Sequence, residues 1–394
     1  MDSKKFELDL TKVPKELKLM MEILASESGK FSQKPHLFEG IDWDYFLELS
    51  LHHRVYPILY SRLKHIKHDL VPEEVREAIA QQYKRNTFKM LHLSGEMEHV
   101  SKLFSNQDLP LLFLKGPALA HELYGDISFR TSSDLDILIP LNQLERAKTL
   151  LEKEGYEKND YIQTVLNDWK WRHHHITFYH PKKGIKLEVH WRLNPGPSKE
   201  PEFQALWERR TTSRLTSTPV YMLSMEDLFL FLVSHGSRHG WSRLRWLLDV
   251  DRMMEQGVDW KLCRKRLHKY HDHRAGGQGI LLASLLFKTE VPYELKHLAA
   301  RKSVKQLAQQ AVYYIEHNVH LHADTVPEAV SRFHKRHLFA LMDFRQKCMF
   351  MMSFLYPYPE DQQTLSLPKL LHFLYFPLRP FLWGWRKLRK QPMI

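Results

Sequence analysis

The feature that most constrains this chain is a short apolar segment that carries two acidic residues. Asp134 and Asp136 alternate with Leu135 and Ile137. In a β-strand successive side chains point to opposite faces, so the two aspartates share one face and the aliphatic side chains the other. Two ionised carboxylates about 7 Å apart repel each other, and a divalent cation with oxygen ligands relieves that repulsion. The alternative is a loop-to-strand junction in which the aspartates cap a turn.

Composition bounds the class of protein. The chain has 394 residues, 43% hydrophobic and 26% charged, which is ordinary for a soluble globular protein of roughly two or three domains. Cys263 and Cys348 match no metal-binding spacing and predict a reducing compartment without disulfides. Residues 1–5 lead into charged sequence, so no secretory signal is expected, and no apolar run is long enough to span a bilayer. These features predict a cytoplasmic location.

The charge balance is basic, with a formal net charge of +12. Such a balance favours anionic partners, which are nucleotides, nucleic acid or an acidic membrane surface. Nucleic-acid-binding proteins typically show a concentrated Lys/Arg stripe with interleaved exposed aromatic residues. The sequence has no such stripe, so we expect nucleic acid not to be the partner.

Hydrophobic periodicity divides the chain into an α/β unit between helical regions. The predicted regions are 1–107 (helical), 108–195 (α/β core), 196–364 (helical) and 365–394 (basic and aromatic). A long amphipathic helix is predicted from Pro72 to about Leu103, and another over 327–355.

The α/β unit alternates strand and helix signals and ends in a predicted hairpin. Its predicted elements are a strand at 111–114, a helix at 118–124, a strand at 135–139, a helix at 142–155, and hairpin strands at 175–180 and 185–191. The sequence therefore predicts an α+β fold with a small mixed sheet embedded in N- and C-terminal helical regions.

Three blocks of this unit carry groups suited to phosphate chemistry. Gly116 follows the first strand, and a glycine turn lets phosphates approach backbone N–H groups at the start of a helix. The second block, residues 130–136, ends in the two aspartates. In the third block Glu188 lies between apolar neighbours on a strand. Two strand carboxylates with a third on an adjacent strand suit metal-dependent phosphoryl or nucleotidyl transfer.

Together the blocks resemble the polymerase-β-like nucleotidyltransferase superfamily and, within it, a bacterial family of largely uncharacterised nucleotidyltransferases. The resemblance covers roughly residues 85–260 and is carried by Leu114, Lys115, Gly116, Tyr124, Arg130, Asp134, Leu135, Asp136, Glu188, His235, His239, Gly240, Trp241, Arg243, Leu244, Arg245, Trp246 and Asp249. It implies that the mixed sheet is a nucleotidyltransferase core. It also implies that Asp134, Asp136 and Glu188 form a catalytic triad that binds Mg²⁺ or Mn²⁺.

The resemblance further implies which residues contact the nucleotide. These are Lys115, Gly116, Arg130 and Ser133, with Gly116 beside the triphosphate. Pro117 departs from the superfamily pattern, in which Ser or Gly follows the glycine, because it removes an N–H and a hydroxyl. The charges of Lys115 and Arg130 are expected to replace those donors.

Four further residues are candidates for substrate contact or for support of the triad: His190, His235, His239 and Arg245. His190 shares a strand face with Glu188 and is predicted to support it or to assist as a general base. For His235 and His239, one helical turn apart, a packed role against Asp249 or the α/β unit is favoured over substrate contact, and a zinc site is disfavoured. The histidines at 173–175 are interpreted as a solvated turn, with His175 facing the hairpin interior as the alternative.

The sequence thus predicts an enzyme, a Mg²⁺-dependent nucleotidyltransferase. It would move a nucleotidyl group from a nucleoside triphosphate such as ATP to a hydroxyl-type acceptor, which is a peptide, a sugar or a small metabolite. The alternative is a non-catalytic nucleotide-binding or assembly protein that retains the fold.

The C-terminal segment, residues 365–394, carries two interpretations. It places Trp383 and Trp385 beside basic residues. A cap packed on the helical region is favoured, and contact with an anionic membrane surface is the alternative. The second would make the cytoplasmic protein peripheral to the membrane.

Overall fold

The computed structural model describes residues 6–25, 34–159, 162, 164–321 and 325–389. Residues 1–5 and Lys390, on which the expectation of no secretory signal and part of the basic C-terminal run rest, lie outside the described residues. Within them, no helix combines the length and the apolar character needed to cross a membrane.

The N-terminal region is helical, as predicted. Its helices are α1 (Lys15–Ala25), α2 (Trp43–His52), α3 (Tyr56–Leu63) and α4 (Glu73–Ser105). Asp42 caps α2 by accepting a hydrogen bond from the N–H of Tyr45. Pro72 precedes α4, where the helix requires no N–H from it. The long helix predicted after Pro72 is confirmed.

The central sheet is mixed. Its strands are β1 (Leu112–Phe113), β2 (Leu135–Leu138), β3 (Glu157–Lys158), β4 (His175–His180), β5 (Ile185–His190), β6 (Thr211–Ser213) and β7 (Val220–Met222). The strand order is β3-β4-β5-β2-β1-β7-β6. β2 is parallel to β5 and antiparallel to β1, while β1 is parallel to β7. The predicted α+β fold with a small mixed sheet is confirmed.

Short helices connect the strands of the sheet. They are α5 (Pro117–Tyr124), α6 (Leu144–Lys153), α7 (Trp169–Arg172) and α8 (Phe203–Glu208). Leu135 and Ile137 of β2 and Leu187 and Val189 of β5 are fully buried in the main hydrophobic core. Because side chains alternate along a strand, the opposite face of β2 and β5 is left for polar residues.

Two strands lie beyond residue 195, where the sequence predicted helices. β6 pairs with β7, and β7 joins β1 through Phe113 and Met222. Each has only three residues, which is too short for an alternating pattern to identify a strand. The sheet therefore extends past the predicted α/β unit, and the domain boundaries drawn from the sequence stay predictions.

The C-terminal region is helical. Its helices are α9 (Met225–Arg238), α10 (Leu244–Met254), α11 (Trp260–Lys269), α12 (His273–Phe287), α13 (Tyr293–Ala299), α14 (Lys302–Glu316), α15 (Glu328–Leu341), α16 (Phe344–Ser353), α17 (Pro359–Thr364) and α18 (Tyr375–Arg389). The single helix predicted over 327–355 is wrong. Asp343 starts a new helix because it accepts a hydrogen bond from the N–H of Gln346, whose side chain accepts one in return.

The C-terminal segment has both packed and exposed residues. Tyr375 is buried, and Asp361 of α17 pairs with Arg379 and Arg386 of α18. Several large apolar residues of the segment are exposed: Leu370, Phe373, Phe376, Phe381, Trp383, Trp385 and Leu388.

Candidate active site

The register between β2 and β5 brings two carboxylates side by side. Asp136 pairs with Glu188, and their neighbours Ile137 and Val189 pair on the buried face. Asp134 precedes β2 by one residue and lines the same cavity as Asp136 and Glu188. The strand parity that the sequence predicted for these carboxylates is therefore present in the fold.

Asp136 is almost completely buried and is held by two donors. The Nζ of Lys115 and the Nε2 of His190 each lie 3.2 Å from its Oδ1. Its other oxygen, Oδ2, is buried and has no hydrogen-bond partner among the described residues. An unpaired buried carboxylate oxygen is costly, so this atom calls for a ligand.

Glu188 is also surrounded by cationic or polar groups. Its Oε1 accepts a hydrogen bond of 2.6 Å from Lys186, and its Oε2 lies 3.5 Å from His190 Nε2 and 3.9 Å from His175 Nε2. The same Lys186 ammonium lies 3.9 Å from Asp134 Oδ2. Lys186 therefore connects Asp134 to Glu188.

The three carboxyl groups differ in their protonation tendencies. Burial raises the pKa of Asp134, and the charge of Asp136 adds to that rise. Burial also acts to raise the pKa of Asp136, but Lys115 and His190 outweigh it and lower that pKa. For Glu188 the same effect of burial is outweighed by His190 and His175, so its pKa is lowered. Asp136 and Glu188 are therefore ionised, and Asp134 takes up a proton more readily.

The spacing of these groups fits a divalent cation. Ligand atoms of Asp136, Glu188 and His190 all lie within 4.8 Å of one another. The carboxylate oxygens suit Mg²⁺ or Mn²⁺, and His190 Nε2 becomes a ligand for Mn²⁺ when it gives up its hydrogen bond to Asp136. Together with the unpartnered Oδ2 of Asp136, this spacing shows that the residues present fit such an ion.

A cavity of about 600 Å³ opens over the carboxylates. Its remaining polar lining is mostly cationic or imidazole-bearing: Arg54, Lys115, Arg130, Lys186, Arg238, Arg243, Arg245, His174, His175, His190, His235 and His239, with Ser132 and Ser133. The cavity is lined by three separate stretches of the chain, the turn after α2, the sheet, and the region of α9 and α10.

The residues that were predicted to contact the nucleotide lie in different parts of the site. Ser133 is exposed in the cavity, and Lys115 reaches Asp136. Gly116 is buried directly before α5, with a φ of 92° and a ψ of −151° that favour glycine. Pro117 takes the first position of α5, where its missing N–H leaves no helical hydrogen bond unmade.

Arg130 lies on the cavity wall, but its guanidinium is directed at Asp249. Arg130 Nε and one terminal nitrogen donate to the two oxygens of Asp249, at 2.9 and 3.0 Å. Tyr124 donates a further hydrogen bond of 2.8 Å to the same carboxylate. Three residues that carried the family resemblance thus form one buried cluster between the sheet region and α10. The expected contact of Arg130 with phosphate stays a prediction.

The contacts of His190 agree with expectation, and those of His235 and His239 differ from it in part. His190 contacts Asp136 and Glu188, as support of the triad requires. His235 and His239 line the cavity and pack against Trp246, while both oxygens of Asp249 are held by Arg130 and Tyr124.

The interpretation of residues 173–175 as a solvated turn is wrong for two of the three histidines. His174 and His175 line the cavity, because β4 begins at His175 and runs beside β5. The inward orientation of His175 was the alternative.

Four cationic residues of the cavity were not predicted as site residues, although Arg243 belongs to the motif that carried the family resemblance. Lys186 stands two residues before Glu188, so strand parity was a signal that would have found it. Arg238 and Arg243 lie close to the predicted His235 and His239. Arg54 had no local signal, because it reaches the cavity through tertiary contacts: the preceding His53 accepts hydrogen bonds from the N–H groups of Leu244 and Arg245.

The predicted Arg245 lines the cavity as well. Its guanidinium is close to Thr131, and donates to both the carbonyl oxygen and the hydroxyl of that residue. Its Nε is buried and has no partner among the described residues. A substrate contact of Arg245 stays a prediction.

Comparison with known proteins identifies the class of protein. Residues 39–288 match the model of a family described as uncharacterised nucleotidyltransferase, and the chain belongs to that family. The match extends beyond residues 85–260, over which the motifs were recognised. Among solved structures, the chain is similar to an antigenic nucleotidyltransferase-like protein from Paracoccidioides brasiliensis, with 17% identity, a TM-score of 0.31, and coverage of 51% of this chain and 94% of that chain. No curated protein sequence matches the chain.

Proposed function

We propose that this protein is a Mg²⁺- or Mn²⁺-dependent nucleotidyltransferase that transfers a nucleotidyl group from a nucleoside triphosphate, such as ATP, to an acceptor hydroxyl. The observation that carries the proposal is the side-by-side pairing of Asp136 and Glu188, with Asp134 on the same cavity. Family membership supports nucleotidyl transfer as the reaction class.

The cationic wall supports triphosphate binding. Lys115 lies beside Asp136, and Ser133 is exposed next to Asp134. Arg54 and Arg243 line the same cavity and act on Asp134 electrostatically. In a partly buried site such cations attract a polyanion more strongly than exposed ones do, because water screens them less. We assign the triphosphate to this end of the cavity.

The acidic residues provide the metal site. Asp136 and Glu188, with Asp134 beside them, would hold the cation, and His190 orients both of the first two by hydrogen bonding. When bound, the ion neutralises charge on the phosphates and polarises the reacting phosphoryl group.

The transfer step itself is an in-line displacement. The acceptor oxygen forms a bond to the α-phosphorus, and the bond from that phosphorus to the oxygen bridging to the β-phosphorus breaks. Pyrophosphate leaves with the electron pair, and Glu188 accepts the proton of the acceptor hydroxyl. Its position beside Asp136 on the paired strand supports this role.

Calorimetry with the full chain tests the proposal. Nucleoside triphosphates with each of the four common bases are titrated in the presence of Mg²⁺ or Mn²⁺. The wild-type chain should bind at least one of them only when the metal is present. Asp136→Asn should lose about 3 kcal/mol of metal-dependent binding, on the order of 100-fold, because it keeps the shape and removes the charge.

A matched control is Asp69→Asn, at an exposed position outside the cavity, which should bind like the wild type. Unchanged metal-dependent binding by Asp136→Asn would show that the carboxylate is structural. Metal-dependent binding without pyrophosphate release, over a panel of peptide, sugar and small-metabolite acceptors, would favour the alternative of a non-catalytic binding or assembly protein.

We also propose that the protein is cytoplasmic and that the C-terminal segment contacts an anionic membrane surface. Two exposed aromatic residues of α18 each contact a cation four residues later: Lys387 Nζ lies 4.6 Å from the ring centre of Trp383, and the Arg389 guanidinium lies 5.0 Å from that of Trp385. Aromatic and basic side chains on one exposed helix suit the interface of an acidic bilayer. This contact concerns location and not the transfer chemistry.

A further inference from the structure

Four arginines in the cavity have no acidic partner. Arg54, Arg238, Arg243 and Arg245 all line it, and among the described residues none of them lies within 4.0 Å of a carboxylate. Removing an arginine from water without a counter-charge is unfavourable. Such a group of unpaired arginines in a largely buried cavity indicates an anionic ligand.

The four arginines have different charged neighbours. The charge of Asp134 acts on Arg54 and Arg243, and the charges of Arg54 and Arg243 act on Arg245. Arg238, the last residue of α9, is instead acted on by Glu200, Asp272 and Glu188, of which Glu188 lines the cavity.

Arg238 is placed by neutral partners. One terminal nitrogen donates to Asn194 Oδ1 at 3.3 Å, and the other lies 3.4 Å from His235 Nδ1. Burial lowers the pKa of Arg238 to about 10, although Glu200, Asp272 and Glu188 act in the opposite direction. Arg238 is thus a cation on the Glu188 side of the cavity whose charge no neighbour cancels by direct contact.

The triphosphate does not account for all of this charge. Apart from Arg130, which Asp249 neutralises, six lysines and arginines face three carboxylates in the cavity. A divalent ion cancels part of the charge of the triphosphate itself. The triphosphate beside Asp134 therefore leaves Arg238 without an anion in direct contact, on the side where Glu188 receives the acceptor.

We propose that the acceptor is an anionic hydroxyl compound whose phosphate or carboxylate group is bound by Arg238. This inference rests on the proposed nucleotidyl transfer and narrows its acceptor class. The planar guanidinium fork matches an oxyanion in two hydrogen bonds. Arg238 then holds the anionic group while the hydroxyl of the same molecule lies beside Glu188. A neutral sugar or an uncharged peptide hydroxyl does not meet this requirement.

Binding of a second anion tests the inference. The full chain is saturated with Mg²⁺ and a non-hydrolysable triphosphate analogue, and inorganic phosphate is titrated by calorimetry at low ionic strength, with acetate in a parallel titration. Phosphate should bind to the saturated protein at one site. Binding of phosphate alone assigns a phosphate-bearing acceptor, and binding of acetate as well assigns an oxyanion of either kind.

Variants identify the residue that binds this anion. Arg238→Gln should weaken phosphate binding at least tenfold without changing the affinity for the triphosphate analogue. Arg238→Lys, which keeps the charge and loses the fork, should weaken it several-fold and provides a second variant if the glutamine variant does not fold. The control Arg264→Gln, on the exposed side of α11, should bind phosphate like the wild type.

Two results overturn the inference while the proposed function stands: the saturated wild type binds no phosphate, or the folded Arg238 variants bind it as tightly as the wild type. A wild type that binds no triphosphate analogue with Mg²⁺ contradicts the proposed function itself, and the inference falls with it.

Discussion

Asp249 accepts hydrogen bonds from two residues that precede it by 119 and 125 positions, Arg130 and Tyr124. All three belong to the motifs by which the family resemblance was recognised. Arg130 and Asp249 are about 1% and 0% exposed, so their ion pair is shielded from water. Motif residues in this chain therefore serve two purposes, since some form the cavity carboxylates and others join the sheet region to α10.

The buried Arg130–Asp249 ion pair leads to a prediction about the free energy of unfolding. Asp249→Asn should lower the free energy of unfolding by about 3–5 kcal/mol, because it leaves the Arg130 charge buried without a counter-charge. Tyr124→Phe, which removes one hydrogen bond, should cost about 1 kcal/mol. Urea denaturation measures both, with Asp69→Asn as the exposed reference. If Asp249→Asn instead keeps its stability and Arg130→Met loses triphosphate affinity, Arg130 serves the phosphates as the sequence predicted.

For individual residues, the sequence predicted the positions of those side chains that are fixed by alternation along a strand. Asp136, Glu188 and His190 lie together because alternate residues of paired strands share a face. Alternation along a strand does not indicate which residues on other helices or strands a side chain contacts. The contact of Arg130 with Asp249 and the arrival of Arg54 in the cavity depend on helix packing, and neither was predicted for that reason.

The turn between β1 and α5 shows what a single backbone position contributes to an element. Gly116 has a φ of 92° and a ψ of −151°, a region almost restricted to glycine. A Cβ there would meet Leu135 Cδ2 at 3.4 Å, which is an ordinary contact. The backbone conformation, and not the lack of space, is therefore what requires glycine.

We predict that Gly116→Ala lowers the free energy of unfolding by about 1–3 kcal/mol through this backbone strain. The matched control is Gly95→Ala on the exposed side of α4, where a Cβ meets no atom within 4 Å. That control should gain up to about 1 kcal/mol, since alanine favours helix over glycine. Urea denaturation of both variants gives the comparison. An equally stable Gly116→Ala protein would contradict the assigned strain.

Helices and strands were predicted correctly from the sequence where their hydrophobic pattern was long enough to show a period. The β4–β5 hairpin and α4 agree with expectation. β6 and β7 were missed because three residues carry no usable period. The break between α15 and α16 was missed because apolar residues continue through it, although the Asp343 and Gln346 capping pair marks it.

At the scale of the whole molecule, most of the exposed large apolar side chains among the described residues lie at the C-terminal end. Phe381 and Leu388 are each 73% exposed and Trp383 is 51% exposed. Exposed apolar patches of this kind mark interaction sites. The segment also packs through Tyr375 and the Asp361 ion pairs, so the predicted cap and the membrane contact use different residues of it.

Vesicle co-sedimentation tests the membrane contact. The full chain should pellet with vesicles of phosphatidylglycerol and phosphatidylcholine, and not with phosphatidylcholine alone. Lys387→Glu/Arg389→Glu should reduce binding at least about tenfold, since each basic residue near an acidic bilayer contributes about 1 kcal/mol. The control Lys261→Glu/Lys265→Glu reverses two exposed charges on α11.

Equal pelleting of the two charge-reversed proteins contradicts a specific contact through α18. A chain that ends at Ser366 adds a second comparison. Its unfolding would establish the segment as a structural cap, and a folded but non-pelleting product agrees with the membrane contact.

The cavity walls come from the turn after α2, from the sheet, and from α9 and α10, so its residues run from Arg54 to Trp246. The family match, residues 39–288, encloses all of them. A short segment around Asp134 and Glu188 therefore does not contain all the residues that form the cavity. A gene fusion or domain exchange intended to keep the proposed activity must include the helices on both flanks together with the strands, all of which lie within the matched stretch of about 250 residues.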